Sequence, residues 1–309
     1  MAVLFECPWE NAEDWLAALR KAMPREDFRV WPAIGNAAEI DFAIVWQPPA
    51  GELCRLPNLV GMSSLGAGVD GLLRDPNLPT GIPVARLVDP LMAERMAEYV
   101  AGCVLYYHLN HDAYERQQGS RRWQRLAHKD AKDRTVGILG LGHLGQAVAR
   151  RLRGLGFALR GWSRGVKDID GIDCFHGTTE FERMLEEVEI LVALLPITEE
   201  TEALLDKRAF NAMPGGGFLI NCARGGLLVE QDLIAALDAG RLAGATLDVF
   251  MQEPLPAEHP FWVHPRIRVT PHVSSLSEPT TGAMILADQV RRARRGGRMH
   301  DVIDPRRGY

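Results

Sequence analysis

Short apolar runs alternate with helical or turn segments through the first hundred residues, which is typical of a parallel sheet covered by helices. Between the first two runs, Trp15, Leu16 and Leu19 fall at helical spacing. The apolar and β-branched runs predict five strands: Ala2 to Phe5, Phe28 to Val30, Phe42 to Trp46, Leu59 to Ser63, and Val84 to Leu87. The region therefore has the alternation of strands and helices expected of one α/β domain.

A long segment without turn signals follows Asp89-Pro90. Its apolar side chains fall on one helical face and predict a connecting helix. We interpret this stripe as core or subunit-interface packing rather than a ligand site, because methionine adapts well to such contacts. The stripe consists of Met92, Met96, Val100, Cys103, Val104 and Tyr107.

A second series of strand signals begins at Thr135 and supplies the six segments VGILGL, FALRGW, ILVALL, FLINCA, GATLDVF and IRVT. Six strands with alternating helices match a complete dinucleotide-binding sheet. From about Thr281 the chain returns to helical character, and we expect it to pack back on the first domain. The predicted fold is α/β, with two Rossmann-like, doubly wound parallel-sheet domains and a cleft between them. Residues 1–99 plus 282–309 would form a flavodoxin-like substrate-binding domain, and residues 100–281 the dinucleotide-binding Rossmann domain.

Composition narrows the functional classes. A formal net charge of -5 over 309 residues gives no field that would attract nucleic acid or an anionic membrane. Five scattered cysteines without a C-x-x-C pair indicate a reducing compartment. The first residues lack the basic segment of a signal peptide, and no apolar run reaches the roughly 18 residues of a membrane span. We expect a cytoplasmic protein with neither nucleic-acid nor membrane partners, and interpret the arginines at 291–298 as a solvated helix face.

A glycine-rich turn lies between a predicted strand and a predicted helix. Gly140-Leu141-Gly142-His143-Leu144-Gly145 follows the apolar run that ends at Leu139 and precedes apolar residues at helical spacing. In that setting the glycines permit a tight turn, close approach to a pyrophosphate and close packing of helix on strand. The helix N-terminus then faces the phosphates. We predict a dinucleotide site that uses Gly140, Gly142, His143, Leu144 and Gly145.

The next predicted strand ends in Gly161-Trp162-Ser163-Arg164, with Lys167 close by. Sites that prefer NAD usually have an acidic residue here to bind the ribose 2′-hydroxyl. A hydroxyl and a guanidinium can instead bind a 2′-phosphate, which a carboxylate would repel. The sequence predicts that NADPH is preferred and leaves NADH use open. The alternative is that Arg164 is only a surface charge.

Three polar residues follow successive predicted strands: Arg224 after FLINCA, Glu253 after GATLDVF and His272 after IRVT. Because ligands bind at the carboxyl ends of strands in open α/β sheets, these residues can converge. We interpret His259 and His264 as ordinary loop residues, since no third metal ligand is suggested nearby, and predict no metal.

The chain resembles the D-2-hydroxyacid dehydrogenase family along nearly its whole length. The motifs that carry the resemblance, in order, are Gly140 to Gly145, Asn221-Cys-Ala-Arg224-Gly225, Asp248-Val-Phe-Met-Gln-Glu253-Pro254 and Thr270-Pro271-His272. Within the family, Glu253-Pro-Leu-Pro, His264-Pro-Arg and Val45-Trp46 resemble the bacterial glyoxylate/hydroxypyruvate reductase A group.

The resemblance implies that Arg224, Glu253 and His272 are catalytic. Arg224 would bind the substrate carboxylate, His272 would protonate the keto oxygen as hydride reaches C2, and Glu253 would orient the imidazole. It also implies that Leu65, Gly66 and Ala67 supply backbone donors to the substrate. Trp46 would border the substrate. Further cofactor contacts are implied for Leu195, Pro196, Thr201, Ala223 and Asp248, the last of these to the nicotinamide amide.

The predicted reaction is NADPH-dependent reduction of a small 2-keto acid, glyoxylate or hydroxypyruvate, to the D-2-hydroxy acid by a homodimer. One alternative keeps the chemistry with a bulkier acid such as phenylpyruvate or 2-ketogluconate, because Ser274-Ser275-Leu276-Ser277 is more polar than this subgroup suggests. A second is a dinucleotide-sensing, co-repressor-like binding protein. The Arg, Glu and His set argues against that alternative.

Overall fold

The computed structural model describes residues 1–9 and 11–304. The chain divides into two compact units, one of Met1–Met92 with the described residues from Ser277 onward, and the other of Ala93–Leu276. The end of the predicted polar tail, 305–309, lies outside the described residues. None of the described helices is long and apolar enough to cross a bilayer.

Unit 1 contains one five-stranded sheet in which every strand pairing is parallel, in the order β2-β1-β3-β4-β5. This is the flavodoxin-like order. Its elements are β1 (Ala2–Glu6), α1 (Ala12–Ala22), β2 (Asp27–Val30), β3 (Ile40–Val45), β4 (Gly61–Ser64), α2 (Asp70–Leu73), β5 (Val84–Ala85), the first residues of α3 (Pro90–His108), and α9 (Pro279–Arg294).

Both faces of this sheet are covered, and its inner strands β1, β3 and β4 are buried along their whole length rather than at alternate residues. Phe5 and Ile44 point to a face covered by α1 and α9, while Leu4 and Val45 point to the opposite face. Helix α9 packs on α1. A Cβ on Gly282 would lie 2.4 Å from the buried Trp15 ring.

Unit 2 contains a seven-stranded parallel sheet in the order β12-β11-β10-β9-β6-β7-β8. Counted from β6, this is the Rossmann order 3-2-1-4-5-6 with one added strand. Its elements are α4 (His111–Gly119), β6 (Thr135–Leu139), α5 (His143–Gly154), β7 (Ala158–Ser163), β8 (Asp173–His176), α6 (Phe181–Leu185), β9 (Ile190–Ala193), α7 (Lys207–Ala212), β10 (Gly217–Asn221), α8 (Glu230–Asp238), β11 (Leu242–Leu247) and β12 (Ile267–Val269).

The predicted apolar stripe of the connecting helix is core, because Met96, Val100 and Tyr107 pack with α5 against one face of the seven-stranded sheet. The sequence predicted six strands here, and the sheet has seven. The missed strand is β8, a four-residue edge strand in which Phe175 is the one buried side chain. A strand so short and so little buried carries no periodic signal.

All five strands predicted in unit 1 are present, with shifted ends. The strand predicted through Trp46 stops at Val45, because the N–H groups of Trp46 and Gln47 donate to the carboxylate of Glu6 at 2.9 and 3.1 Å instead of continuing the ladder. The strand predicted through Leu87 is reduced to two residues.

Candidate active site

The turn between β6 and α5 has the geometry of a dinucleotide-binding loop. Gly140 adopts a φ of +105°, and a Cβ there would lie 2.7 Å from the carbonyl oxygen of Leu194. A Cβ on Gly145 would lie 1.8 Å from the carbonyl oxygen of Gly140, so the helix can approach the strand only without a side chain. A Cβ on Gly142 would meet no atom within 4 Å. The first and last glycines are required by the fold, whereas Gly142 faces space that a ligand can occupy.

Helix α5 begins with its N–H groups available to an anion. Gly142 is the N-cap residue and provides no side-chain cap, so the first-turn N–H groups of His143, Leu144 and Gly145 lack that partner. Helix α5 has 12 residues in all. Such a terminus suits the charge of a pyrophosphate.

At the end of β7, Ser163 is buried and its hydroxyl donates to the carbonyl oxygen of Gly165 at 2.8 Å. The guanidinium of Arg164 is exposed and lies 3.5 Å from a carboxylate oxygen of Glu200. Lys167 is also exposed. The position that holds an acidic residue in NAD-preferring sites therefore carries a hydroxyl here, with two cations in the same turn.

The loop after β9 is held by its own polar groups. The hydroxyl of Thr201 donates to the carbonyl oxygen of Pro196 at 2.7 Å and accepts the N–H of Thr198 at 2.8 Å. Leu195 is buried beside it, and Ala223 after β10 is buried too. The hydroxyl of Thr201 thus fixes the conformation of the loop that contains Pro196.

Two of the three predicted catalytic side chains form a direct pair. Nδ1 of His272 lies 2.7 Å from Oε2 of Glu253, and Oε1 of Glu253 accepts the N–H of Phe250 at 2.9 Å. The third, Arg224, follows the neighbouring strand β10, and one guanidinium nitrogen donates to the carbonyl oxygen of Ala223 at 2.7 Å. The structure thus brings Glu253 and His272 into contact, with the charge of Arg224 close enough to act on Glu253.

The carboxylate of Glu253 is in a cationic surrounding. Burial alone would raise its pKa, but the hydrogen bond and charge of His272, the N–H of Phe250 and the charge of Arg224 outweigh burial. The pKa of Glu253 therefore lies below its ordinary value of 4.5. At neutral pH the group is therefore a carboxylate, which accepts the hydrogen bond at Nδ1 of His272.

Asp248 is fully buried and organises the loop that carries His272. Its Oδ1 accepts the hydroxyl of Thr270 at 2.6 Å and the N–H of Val273 at 2.9 Å, and its Oδ2 accepts the N–H of Ser274 at 2.8 Å. The N–H of His272 donates to the carbonyl oxygen of Asp248 at 2.9 Å. Sequence reasoning gave Asp248 a cofactor contact and missed this second set of partners.

In unit 1 the loop after β4 carries the three predicted substrate positions Leu65, Gly66 and Ala67, and two of their N–H groups have acceptors within the chain. The N–H of Leu65 donates to Val45, and the N–H of Gly66 donates to the hydroxyl of Ser64 at 3.2 Å. Both N–H groups therefore have an acceptor within unit 1, on strand β3 for Leu65 and within the turn for Gly66, and their contact with a substrate stays a prediction. The third predicted donor is the N–H of Ala67, for which the described residues provide no backbone acceptor.

The indole of Trp46 lies over this loop. A Cβ on Gly66 would approach its ring to 2.5 Å, so the indole rests on the glycine face. Trp9 packs beside it with ring centroids 4.9 Å apart. The half-buried indole and the loop backbone thus form one surface within unit 1.

The glycine turn, the α5 terminus and the paired imidazole and carboxylate define a dinucleotide-dependent oxidoreductase. Residues 101–274 match the family model of the D-isomer specific 2-hydroxyacid dehydrogenase, NAD binding domain. The chain belongs to the D-isomer specific 2-hydroxyacid dehydrogenase family, which confirms the resemblance seen in its motifs.

Relatives that match over the full length of the chain support this family membership. Glyoxylate/hydroxypyruvate reductase A of Serratia proteamaculans is 41% identical and that of Photorhabdus laumondii is 40% identical, each over 100% of both chains. The structure of a D-isomer specific 2-hydroxyacid dehydrogenase from Xanthobacter autotrophicus in complex with NADPH and MES has a TM-score of 0.94 at 41% identity, covering 100% of this chain and 99% of that one. An NADPH-dependent glyoxylate/hydroxypyruvate reductase from Sinorhizobium meliloti, in complex with NADP and sulfate, has a TM-score of 0.92 at 35% identity over 100% of both chains.

Proposed function

We propose that the protein reduces a small 2-keto acid, glyoxylate or hydroxypyruvate, to the D-2-hydroxy acid with NADPH. The observation that carries the proposal is the 2.7 Å contact between His272 and Glu253, on loops after adjacent strands of a sheet whose first turn suits a pyrophosphate. The full-length relatives from Serratia proteamaculans and Photorhabdus laumondii are glyoxylate/hydroxypyruvate reductases, which supports the same substrates.

The catalytic roles follow from the chemistry of the side chains. Nδ1 of His272 is engaged by Glu253, so Nε2 is the nitrogen that would protonate the keto oxygen. The planar guanidinium of Arg224 suits a substrate carboxylate and can polarise the same oxygen. When bound, the nicotinamide supplies the hydride. Glu253 would hold the imidazole in orientation through its contact with Nδ1.

In this proposal the two units contribute to the binding of different ligands. Unit 2 would hold the cofactor through the turn at Gly140 to Gly145, the 195–201 loop, Ala223 and Asp248. Unit 1 would contribute the loop at Leu65, Gly66 and Ala67 and the indole of Trp46 to substrate binding. The prediction divides the functions in the same way, but places the substrate-binding domain at residues 1–99 plus 282–309 and the cofactor domain at residues 100–281, whereas the units meet at Met92/Ala93 and Leu276/Ser277.

A preference for NADPH over NADH is part of the proposal. Ser163 and the cations Arg164 and Lys167 would bind the 2′-phosphate, and structures of relatives are described with NADPH or NADP. Values of kcat/KM with the two cofactors test it, and equal values or a preference for NADH would contradict it.

We also propose a cytoplasmic homodimer. All five cysteines are free, which suits a reducing compartment. Light scattering coupled to size exclusion measures the mass directly, and a monomer at working concentration would contradict the dimer.

Steady-state oxidation of NADPH with a panel of keto acids tests the central proposal. We expect turnover of glyoxylate and hydroxypyruvate, with the D enantiomer as product where C2 is chiral. Preference for phenylpyruvate or 2-ketogluconate would move the substrate to bulkier acids. Tight NADPH binding without turnover of any keto acid would instead support a sensing protein and overturn the proposed function.

A further inference from the structure

A chain of hydrogen bonds behind His272 links helix α3 to the loop after β12. The hydroxyl oxygens of Tyr99 and Thr270 lie 2.5 Å apart, and the hydroxyl of Thr270 donates to Oδ1 of Asp248 at 2.6 Å. Tyr99 and Thr270 are 171 residues apart in sequence. Neither residue belongs to the proposed catalytic or cofactor set.

The direction of these hydrogen bonds follows from the chemistry of the groups. A carboxylate only accepts, so the hydroxyl of Thr270 uses its proton toward Asp248 and must accept from Tyr99. Burial raises the pKa of Tyr99 far above its ordinary value, so the phenol keeps the proton that it donates. Tyr99 donates to Thr270, and Thr270 donates to Asp248.

The other groups that donate to Asp248 are the backbone N–H groups of His272 and of the two residues after it. Its side chain accepts the N–H groups of Val273 and Ser274, while its carbonyl oxygen accepts the N–H of His272. His272 has a φ of +53°, in the left-handed region that non-glycine residues seldom adopt. The hydrogen bonds on both sides hold the backbone in that conformation, which directs the ring toward Glu253.

We propose that Thr270 and Tyr99 are positioning residues: they orient the carboxylate of Asp248 so that it clamps residues 272–274 and holds the His272 imidazole against Glu253. The inference rests on the proposed function, in which His272 is the general acid. It adds two residues, one of them on a helix that contacts no substrate in the proposed mechanism.

Helix α3 provides a matched control. The hydroxyl of Tyr107, two turns beyond Tyr99, lies 2.7 Å from the hydroxyl of Thr246 within β11. This pair is the same in chemistry and more deeply buried, but it joins the helix to the interior of a strand rather than to the His272 loop. Tyr107→Phe therefore measures the loss of a tyrosine–threonine hydrogen bond that has no role in positioning.

The experiment compares Thr270→Val, Thr270→Ser, Tyr99→Phe and Tyr107→Phe in NADPH-dependent glyoxylate reduction. Valine has the shape of threonine without its hydroxyl, whereas serine retains the hydroxyl. We expect Thr270→Val to lower kcat about tenfold with the Kd for NADPH unchanged, because misplacement of a catalytic group acts mainly on kcat. Thr270→Ser should recover most of that loss, Tyr99→Phe should show a smaller decrease, and Tyr107→Phe should match the wild type.

NMR of the histidine ring provides a readout that does not depend on turnover. The His272 resonance is identified by its loss in His272→Gln, and we expect it to shift or broaden in Thr270→Val and Tyr99→Phe but not in Tyr107→Phe. An unaltered resonance together with wild-type kcat in Thr270→Val would overturn the inference. So would equal losses in Thr270→Ser and Thr270→Val, or in Tyr99→Phe and Tyr107→Phe. If Thr270→Val fails to fold, the comparison of the two tyrosine variants decides.

The same design separates the two proposals. A wild-type protein that turns over no keto acid, yet shows the expected changes in the His272 resonance, would contradict the proposed function and leave the positioning intact. Normal turnover without those changes would contradict the positioning alone.

Discussion

At the scale of single residues, the imidazole of His272 is the group on which the proposed chemistry depends. Replacing it by glutamine retains a polar side chain of similar reach but removes the transferable proton. We expect His272→Gln to lose about 10²-fold or more in kcat, the usual scale for a positioned acid, while binding NADPH normally. His264→Gln is the control, since that ring accepts the N–H of Arg266 in another loop. Near-normal kcat in His272→Gln would exclude the residue as the acid.

The lowered pKa of Glu253 leads to a pH-dependent stability. A carboxyl group whose pKa falls on folding stabilises the folded chain above its ordinary value, here 4.5, and loses that contribution as the pH falls through the lower folded value. We expect wild type to melt at a higher temperature than Glu253→Gln near neutral pH. The gap should close below pH 4.5. Melting curves of both proteins across this range test the sign, and a gap that widens in acid would contradict it.

At the scale of elements, the β6–α5 turn contains two glycines that the fold requires, Gly140 and Gly145, and one, Gly142, whose role we propose is to admit the cofactor. Gly142→Ala adds a Cβ in open space, so we expect an unchanged melting temperature but NADPH binding weakened about tenfold or more, because the methyl group hinders the pyrophosphate. Gly145→Ala forces the helix away from Gly140 and should lower the melting temperature itself. Calorimetry of both variants decides, and normal NADPH affinity in Gly142→Ala would place the pyrophosphate elsewhere.

The loop after β4 allows a comparable test in unit 1. The Cβ of Gly66→Ala would lie 2.5 Å from the Trp46 ring, so the indole must move from the loop. We expect KM for glyoxylate to rise with little change in the Kd for NADPH. Gly81→Ala controls for a glycine substitution in the same unit, since its Cβ would meet nothing within 4 Å, although its φ of +80° adds backbone strain. An unchanged KM in Gly66→Ala would remove Trp46 from the substrate site.

Elements with a continuous or periodic apolar pattern could be predicted from the sequence, whereas contacts between distant segments could not. Strands β1 and β3 and the α5 stripe have such patterns, but β8 buries one large side chain and has none. The order of the family motifs predicted that Glu253 and His272 belong to one site. The Tyr99–Thr270 contact depends on how α3 crosses the sheet, and nothing in either local sequence encodes it.

At the scale of the whole molecule, the cofactor should stabilise the fold that binds it. A ligand that binds only the folded chain contributes about 2.7 kcal/mol at about a hundred times its Kd. We expect NADPH to raise the melting temperature by several degrees and NADH to raise it less at equal concentration. Arg164→Ala is the control, since it should reduce the NADPH shift and spare the NADH shift. Equal shifts in wild type would contradict a site built for the 2′-phosphate.

The packing of α9 on α1 has a consequence for biosynthesis. The ribosome makes the five strands of unit 1 first, then all of residues 93–276, and only afterwards the helix whose Ala283, Leu286 and Val290 cover one face of that first sheet. Unit 2 is contiguous and can fold while translation continues. The nascent amino-terminal part must meanwhile keep an apolar face from aggregating, so a chaperone that shields it should improve the yield of native protein more than one acting on unit 2.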